Sequence, residues 1–175
     1  MTRTLGPIGR IGLISDTHGL LRPEALELLR GSDLILHAGD IGGKQGKGGR
    51  EILAALRKLA PLAAIRGNND AEAWAAKVPE RKTLAVNGER IHILHDIGDL
   101  DFDPAAAGIR CVVSGHSHLP SVEEENGVLF VNPGSAGPRR FSLPVSLGRI
   151  EIRGSRWRAA IVSISLPFSP KTPRR

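Results

Sequence analysis

Five short apolar runs in this chain end in residues that can offer a lone pair to a cation. "IGLIS" is followed by Asp16, Thr17 and His18, and "LILHAG" by Asp40. "LAAIRG" leads to Asn68, "IHIL" to His95, and "CVVSG" to His116, Ser117 and His118. Asp16, Asp40, Asn68 and the four histidines supply carboxylate oxygens, an amide oxygen and imidazole nitrogens. That donor set suits Mn²⁺, Fe²⁺, Zn²⁺, Ni²⁺ or Co²⁺ better than Ca²⁺, which takes oxygens alone. No thiolate belongs to it, which excludes a structural zinc–thiolate site. Seven ligands are too many for one first-row ion at a catalytic site. Shared through a bridging carboxylate, they fit two.

For these residues to meet, the runs must be strands of one architecture with their carboxyl ends on one side, where open α/β sheets bind ligands. The first half supports this. "RIGLIS" (10–15), "DLILHAG" (33–39) and "PLAAIRG" (61–67) read as buried strands. "RPEALELLRG" (22–31) and "REILAALRKLA" (50–60) read as helices, the first with proline at its start and glycine past its end. Strand–helix alternation predicts a parallel sheet with crossover helices. In the second half, Asn-Gly sits between apolar stretches in "TLAVNGERIHIL" (83–94) and "SVEEENGVLFV" (121–131), the strongest short hairpin signal. "GRIEIRGSRWRAAIVSI" (148–164) reads as two more strands about Gly154. The expectation is a layered α/β sandwich with antiparallel strands added to a parallel core. It forms a single domain over residues 1–166, followed by a basic, proline-containing tail over 167–175.

The ordered set "SDTHG", "AGD", "GNND", "H" and "GHSH", with "VNPGSAGPR" (131–139) after it, resembles the signature of the calcineurin-like metallophosphoesterases. It is most similar to the small prokaryotic YfcE-type phosphodiesterases, and the likeness covers residues 10–165. The resemblance implies a four-layer α/β/β/α fold. It also implies a division of ligands: Asp16, His18 and His118 on one ion, Asn68, His95 and His116 on the other, and Asp40 bridging. Manganese is the first choice of metal, with nickel, iron, zinc and cobalt as alternatives. Two such ions lower the pKa of a bound water and hold a phosphoryl oxygen. The nucleophile is then the metal-bound hydroxide, with no catalytic side chain beyond it. Two divalent ions against two carboxylates and a hydroxide leave one positive charge, which a phosphodiester anion neutralises and a monoester dianion over-compensates.

Many relatives carry a histidine, taken as the general acid, where this chain has Asn69. Asn69 can hydrogen-bond a phosphate oxygen but cannot deliver a proton. Asn69, Asp70 and Arg139 are the expected substrate contacts, and Arg140 is equally placed to face an anion. His37, inside a strand, reads as a core or supporting residue. His92, three before His95, falls on the opposite strand face. "GGKQGKGG" (42–49) fails the phosphate-loop pattern at Ile41 and Gly48 and reads as a rim to the site.

Bulk properties agree. The chain has 175 residues and is 41% hydrophobic, enough for a real core. Aromatics are 3%, which argues against a base-stacking platform for single strands. The net charge of +6, much of it in "RGSRWR" and "KTPRR", suits anionic substrates and leaves nucleic acid as a weakly supported partner. Cys111 is the only cysteine and reads as a buried apolar residue. Without a signal-like segment or a run of about 20 apolar residues, the expected setting is cytoplasmic, with no membrane partner. A homo-oligomer is compatible with everything above. The rival reading is a non-catalytic scaffold of the same fold, like the retromer subunit, and a complete ligand set argues against it.

Overall fold

The computed structural model describes residues 7–44, 47–140 and 142–165. β1 (Arg10–Ile14), β2 (Leu34–Ala38) and β3 (Leu62–Ile65) pair in parallel, with α1 (Pro23–Leu29) and α2 (Gly49–Leu59) as the crossovers. Pro23 opens α1, where its missing N–H costs nothing, and Gly31 takes φ 75° just beyond its end. Ile52, Leu53 and Leu56 form the buried stripe of α2. The remaining strands are β4 (Arg81–Val86), β5 (Glu89–Leu94), β6 (Cys111–Val113), β7 (Ser121–Glu125), β8 (Val128–Asn132), β9 (Ser146–Arg153) and β10 (Arg156–Ser163).

Two five-stranded sheets result, ordered β10-β9-β1-β2-β3 and β4-β5-β6-β8-β7. Their inner faces share one interior, with Ile11 and Leu13 of β1 against Ile91 and Ile93 of β5 and Val113 of β6. Alternate residues of β1 and β2, Ile14 and Ile35, point the other way and pack beneath the helices with Leu29 and Leu56. Each such fully buried aliphatic side chain stabilises the fold by about 1.5–3 kcal/mol.

The Asn-Gly hairpins form as expected. Asn87–Gly88 and Asn126–Gly127 have both residues at positive φ, which the right-handed strand twist demands of a two-residue turn. The expectation that the second half adds only antiparallel strands needs correcting. β5, β6 and β8 are parallel neighbours, and only the edge strands β4 and β7 run antiparallel to them. β6 is three residues long and looped rather than helical segments lead into it, so neither length nor periodicity announces a second parallel centre. The outer layer over this sheet is also thin. Leu94, Val112 and Val128 are covered by Leu100, Ala107 and Ile109 from a loop that holds one 3₁₀ turn, Ile97–Asp99. Cys111 is fully buried and its thiol is pushed up to about 12 by that burial, so it packs as an apolar residue. The expected tail over 167–175 lies outside the described residues.

Candidate metal centre

The loops that follow β1 and β2 are stitched together beyond the strands. Asp16 N–H donates to Gly39 O, His18 N–H to Asp40 O, and Gly19 N–H to Ile41 O, at 2.9–3.0 Å. The β5 and β6 ends are joined in the same way, Gly115 N–H donating to His95 O at 2.8 Å. The "NPGSAG" stretch holds both sets. Asn132 Nδ2 donates to Gly115 O and to Ser117 Oγ, while Ala136 N–H and Ser135 Oγ–H bond to the carbonyls of Ser15 and Asp16.

These links gather all seven expected ligands at one end of the two sheets. His118 Nε2 lies 3.2 Å from Asp16 Oδ1 and 3.3 Å from His18 Nε2. Asp40 Oδ2 lies 3.7 Å from His18 Nε2 and 3.4 Å from His95 Nε2, between the two groups of ligands. His116 Nδ1 lies 3.1 Å from Asn68 Oδ1, and its ring packs edge-on to that of His95. Two clusters could each hold an ion: Asp16, His18 and His118, and Asp16, Asp40 and His95. Asp16 therefore stands close to both groups as well as Asp40.

The backbone at the site is unusual. Among the described residues, seven non-glycine positions have positive φ, and five of them are Asp16, His18, Asp40, His116 and His118. The other two are the hairpin asparagines. A left-handed conformation costs a non-glycine residue about 1 kcal/mol or more, and it persists only where the surroundings enforce it. Close approach matters as well: a Cβ on Gly67 would run into the Asp40 carboxylate, and one on Gly115 into Ser15 Oγ.

The electrostatics fit a cation. Asp16 is fully buried, and its Oδ2 accepts from Ser15 Oγ and His116 N–H, but Oδ1 has no hydrogen-bond donor. His95 Nδ1 lies 2.7 Å from Ala38 O, a group that only accepts, so that nitrogen carries the hydrogen. Nε2 is left buried, without a hydrogen-bond partner, and facing Asp40. Burial pushes the Asp40 carboxyl up, but the His95 ring and the N–H groups of Asn69 outweigh it and hold the carboxyl below the usual range. Burial lowers His95, yet the pull of Asp40 and Ala38 O raises it to about 9. His18 is lowered by burial, against the attraction of Asp40 and Asp16, with Arg140 and His118 lowering it further. A buried carboxylate oxygen and a buried imidazole nitrogen, neither with a hydrogen-bond partner, form a pair that a cation would satisfy.

The other expectations divide. Asn69 is exposed at the rim. Its N–H donates to Asp40 Oδ1 at 2.9 Å and its Nδ2 to Asp40 Oδ2 at 2.6 Å. Asp70 does not fit the role of a substrate contact. It is 5% exposed, and its carboxylate accepts the N–H groups of Ile41, Gly42 and Gly67. Its job is to tie the two strand-end loops together, and burial raises its pKa despite those donors. A sequence run of polar residues cannot show which of them turns inward. Arg139 is exposed, and the charge that reaches His18 belongs to its neighbour Arg140. His37 is fully buried and held to about pKa 3 by that burial. Its Nδ1 accepts from Gly39 N–H, so Nε2–H donates to Thr17 Oγ1, which donates to Ile41 O. It supports the site loops, and neither of these hydrogen bonds goes to the side chain of an expected ligand. His92 lies away from the site, bonded to Thr83 Oγ1 and edge-on to Phe102. Gly43 N–H donates to Lys47 O across the 42–49 loop, whose Lys44 and Lys47 are exposed.

Two features were not read from the sequence. A cavity of about 310 Å³ adjoins Asn68, His95 and His116, and Arg66, Arg81 and Asp96 help to line it. Asp96 Oδ2 lies 3.5 Å from His116 Nε2. The signal was present, a carboxylate directly after a candidate ligand, but one such neighbour is too common to weigh.

Residues 10–155 match the calcineurin-like phosphoesterase superfamily domain. A probable metallophosphoesterase from Methanothermobacter thermautotrophicus is 31% identical over 169 residues, covering 90% of this chain and 94% of the relative. Among solved structures, the E. coli phosphoesterase YfcE superposes with a TM-score of 0.61 at 23% identity, covering 89% of this chain and 100% of that one. Vps29 of Chaetomium thermophilum superposes at 0.69 and 19% identity, covering 89% and 95%. These two share the fold with this chain.

Proposed function

This chain belongs to the calcineurin-like phosphoesterase superfamily, and we propose that it is a binuclear metal-dependent phosphodiesterase. The observation that carries this reading is that Asp16, His18, Asp40, His95 and His118 form two overlapping clusters around a buried carboxylate oxygen and a buried imidazole nitrogen without hydrogen-bond partners, with Asn68 and His116 beside them. Asp16, His18 and His118 would hold one ion, Asn68, His95 and His116 the other, and Asp40 would serve both. Two divalent ions held there would supply an activated water as nucleophile and charge neutralisation for the phosphoryl oxygens. Manganese is our first choice, and the donor set also admits nickel, iron, zinc or cobalt.

The residues of this chain set the rest. Asn68 contributes an oxygen without a negative charge, which keeps the centre net positive and favours a monoanionic diester over a dianionic monoester. Asn69, at the rim beside Asp40, gives one amide hydrogen to Asp40 Oδ2 and is placed to donate the other to a phosphate oxygen. Arg140, whose charge reaches His18, attracts an anion to the same mouth. Ala38 O fixes the His95 ring so that Nε2 faces inward. No described side chain at the rim is a histidine free to protonate a leaving alkoxide, which favours substrates with good leaving groups. A small phosphoester is the substrate class we favour, and among the described residues no helix is long and apolar enough to cross a membrane.

The likeness to Vps29 favours a second reading, a protein-binding scaffold. The two separate in one experiment. Metal-stripped protein is re-loaded with single ions and assayed against aryl phosphodiesters and phosphomonoesters. The proposal requires metal-dependent turnover, greater on the diester. Tight binding of two ions with no hydrolysis of either class would support the scaffold instead.

A further inference from the structure

The two histidines expected on the more open ion present opposite nitrogens. His95 donates Nδ1–H to Ala38 O at 2.7 Å and turns Nε2 inward toward Asp40. His116 has the reverse orientation: Nδ1 lies 3.1 Å from Asn68 Oδ1, an acceptor it bonds only while it carries the hydrogen, and Nε2 points outward to Asp96 Oδ2 at 3.5 Å, so an ion shared with Asn68 would take the Nδ1 position and leave the hydrogen on Nε2. A ligating imidazole normally donates its other N–H to an oxygen, which sets its tautomer and ring angle. Ala38 O fills that role for His95, while His116 lies at the rim with its side chain 45% exposed. A ring that open is held by little packing beyond its edge-on contact with His95.

We propose that Asp96 is the positioning residue of His116, its carboxylate accepting Nε2–H and so fixing Nδ1 as the nitrogen offered to the ion shared with Asn68 and His95. This rests on the metal-dependent reading above. Asp96 is itself held for the task. Its Oδ1 accepts Gly98 N–H at 2.9 Å as the cap of the Ile97–Asp99 turn, which leaves Oδ2 directed at the ring. Its competitors are engaged elsewhere, Arg66 with Glu80 at 2.6 Å and Arg81 with Asp101 at 3.0 Å. Among the described residues, His116 is the only ion-pair partner of Asp96.

The decisive substitution is Asp96→Asn. Its Oδ1 can still cap the turn, but an NH₂ replaces the acceptor and opposes the required tautomer. Metal-free protein is titrated with Co²⁺ and followed by its visible ligand-field absorption, alongside His116→Ala and the double variant. We expect one of two equivalents to weaken about 10–100-fold in Asp96→Asn, the same equivalent that His116→Ala loses, and the other to stay unchanged. The double variant should bind no worse than His116→Ala alone. Thermal melting of the metal-free Asp96→Asn protein should match the native chain. Native affinity for both ions in Asp96→Asn, additive losses in the double variant, or a lowered melting temperature with both ions equally weakened would each overturn the proposal, the last leaving Asp96 as a turn cap only. Failure of the native chain to bind two equivalents of Co²⁺ would instead sink the binuclear reading and this inference with it.

Discussion

The two sides of the candidate centre are built differently. Asp16 and His118 on one side, with the shared Asp40, are at most 7% exposed and sit on loops cross-linked to each other and to the "NPGSAG" stretch. Asn68 and His116 lie at the rim, beside a cavity that could admit an ester group. A shielded set of ligands is preorganised, and its cost in strained φ angles is met by the surrounding fold. An open set needs its own supports and exchanges with solvent. The first side should therefore hold its ion tightly, and the second should lose its ion first and face the substrate.

The contrast can be broken most completely at the residue common to both sides. Asp40→Asn should lower hydrolysis on the order of 10³-fold or more and reduce the content of both ions, since several kcal/mol of charge stabilisation go with them. Asp16→Asn should be less severe. Retention of two ions and near-native turnover in Asp40→Asn, by elemental analysis and initial rates, would show that Asp40 does not bridge. On the open side alone, Asn68→Ala should weaken one ion about 10–100-fold and leave the other in place, as equilibrium dialysis can report; equal loss of both would erase the distinction.

The proton on His95 offers a finer probe. Its pKa in the metal-free protein is raised from 6.5 to about 9, so its contribution to stability is complete below pH 6.5 and lost as pH rises through about 9. An ion must displace that proton. Affinity on the open side should then rise roughly tenfold per pH unit from pH 6.5 to 9 and level off above, with proton release measurable in calorimetry across buffers. A flat affinity over that window would mean that His95 is neutral before metal arrives.

Asn69→His should speed alkyl diesters more than aryl ones, by up to about 10²-fold and within the usual range of general acid catalysis, provided the ring reaches the leaving oxygen. Rate against leaving-group pKa would be steep in the native chain and shallower in the variant. A shallow native slope would point to a proton donor elsewhere. The smallest effect is expected from removing residues 167–175, which should leave aryl diester hydrolysis nearly unchanged; loss of metal or folding on truncation would show that this stretch belongs to the structure.

That the seven candidate ligands would lie at one end of the sheets was legible from the sequence because the groups that hold them follow apolar runs that read as strands. The Asn-Gly turns were legible for a local reason too, the positive φ that both residues must adopt. Asp70 was misjudged because nothing local tells a polar residue whether it will face the cleft or accept three backbone N–H groups, two of them from residues 28 and 29 positions away. The parallel centre of the second sheet, the opposed orientations of His95 and His116, and the left-handed backbone at five ligand positions were decided only in three dimensions. Each depends on groups distant in sequence: Ala38 O beside His95, Asp96 beside His116, and Asp16 within reach of His118 a hundred residues later. Periodicity and residue type report what a segment prefers on its own, whereas tautomer, strain and burial are imposed by neighbours that only folding supplies.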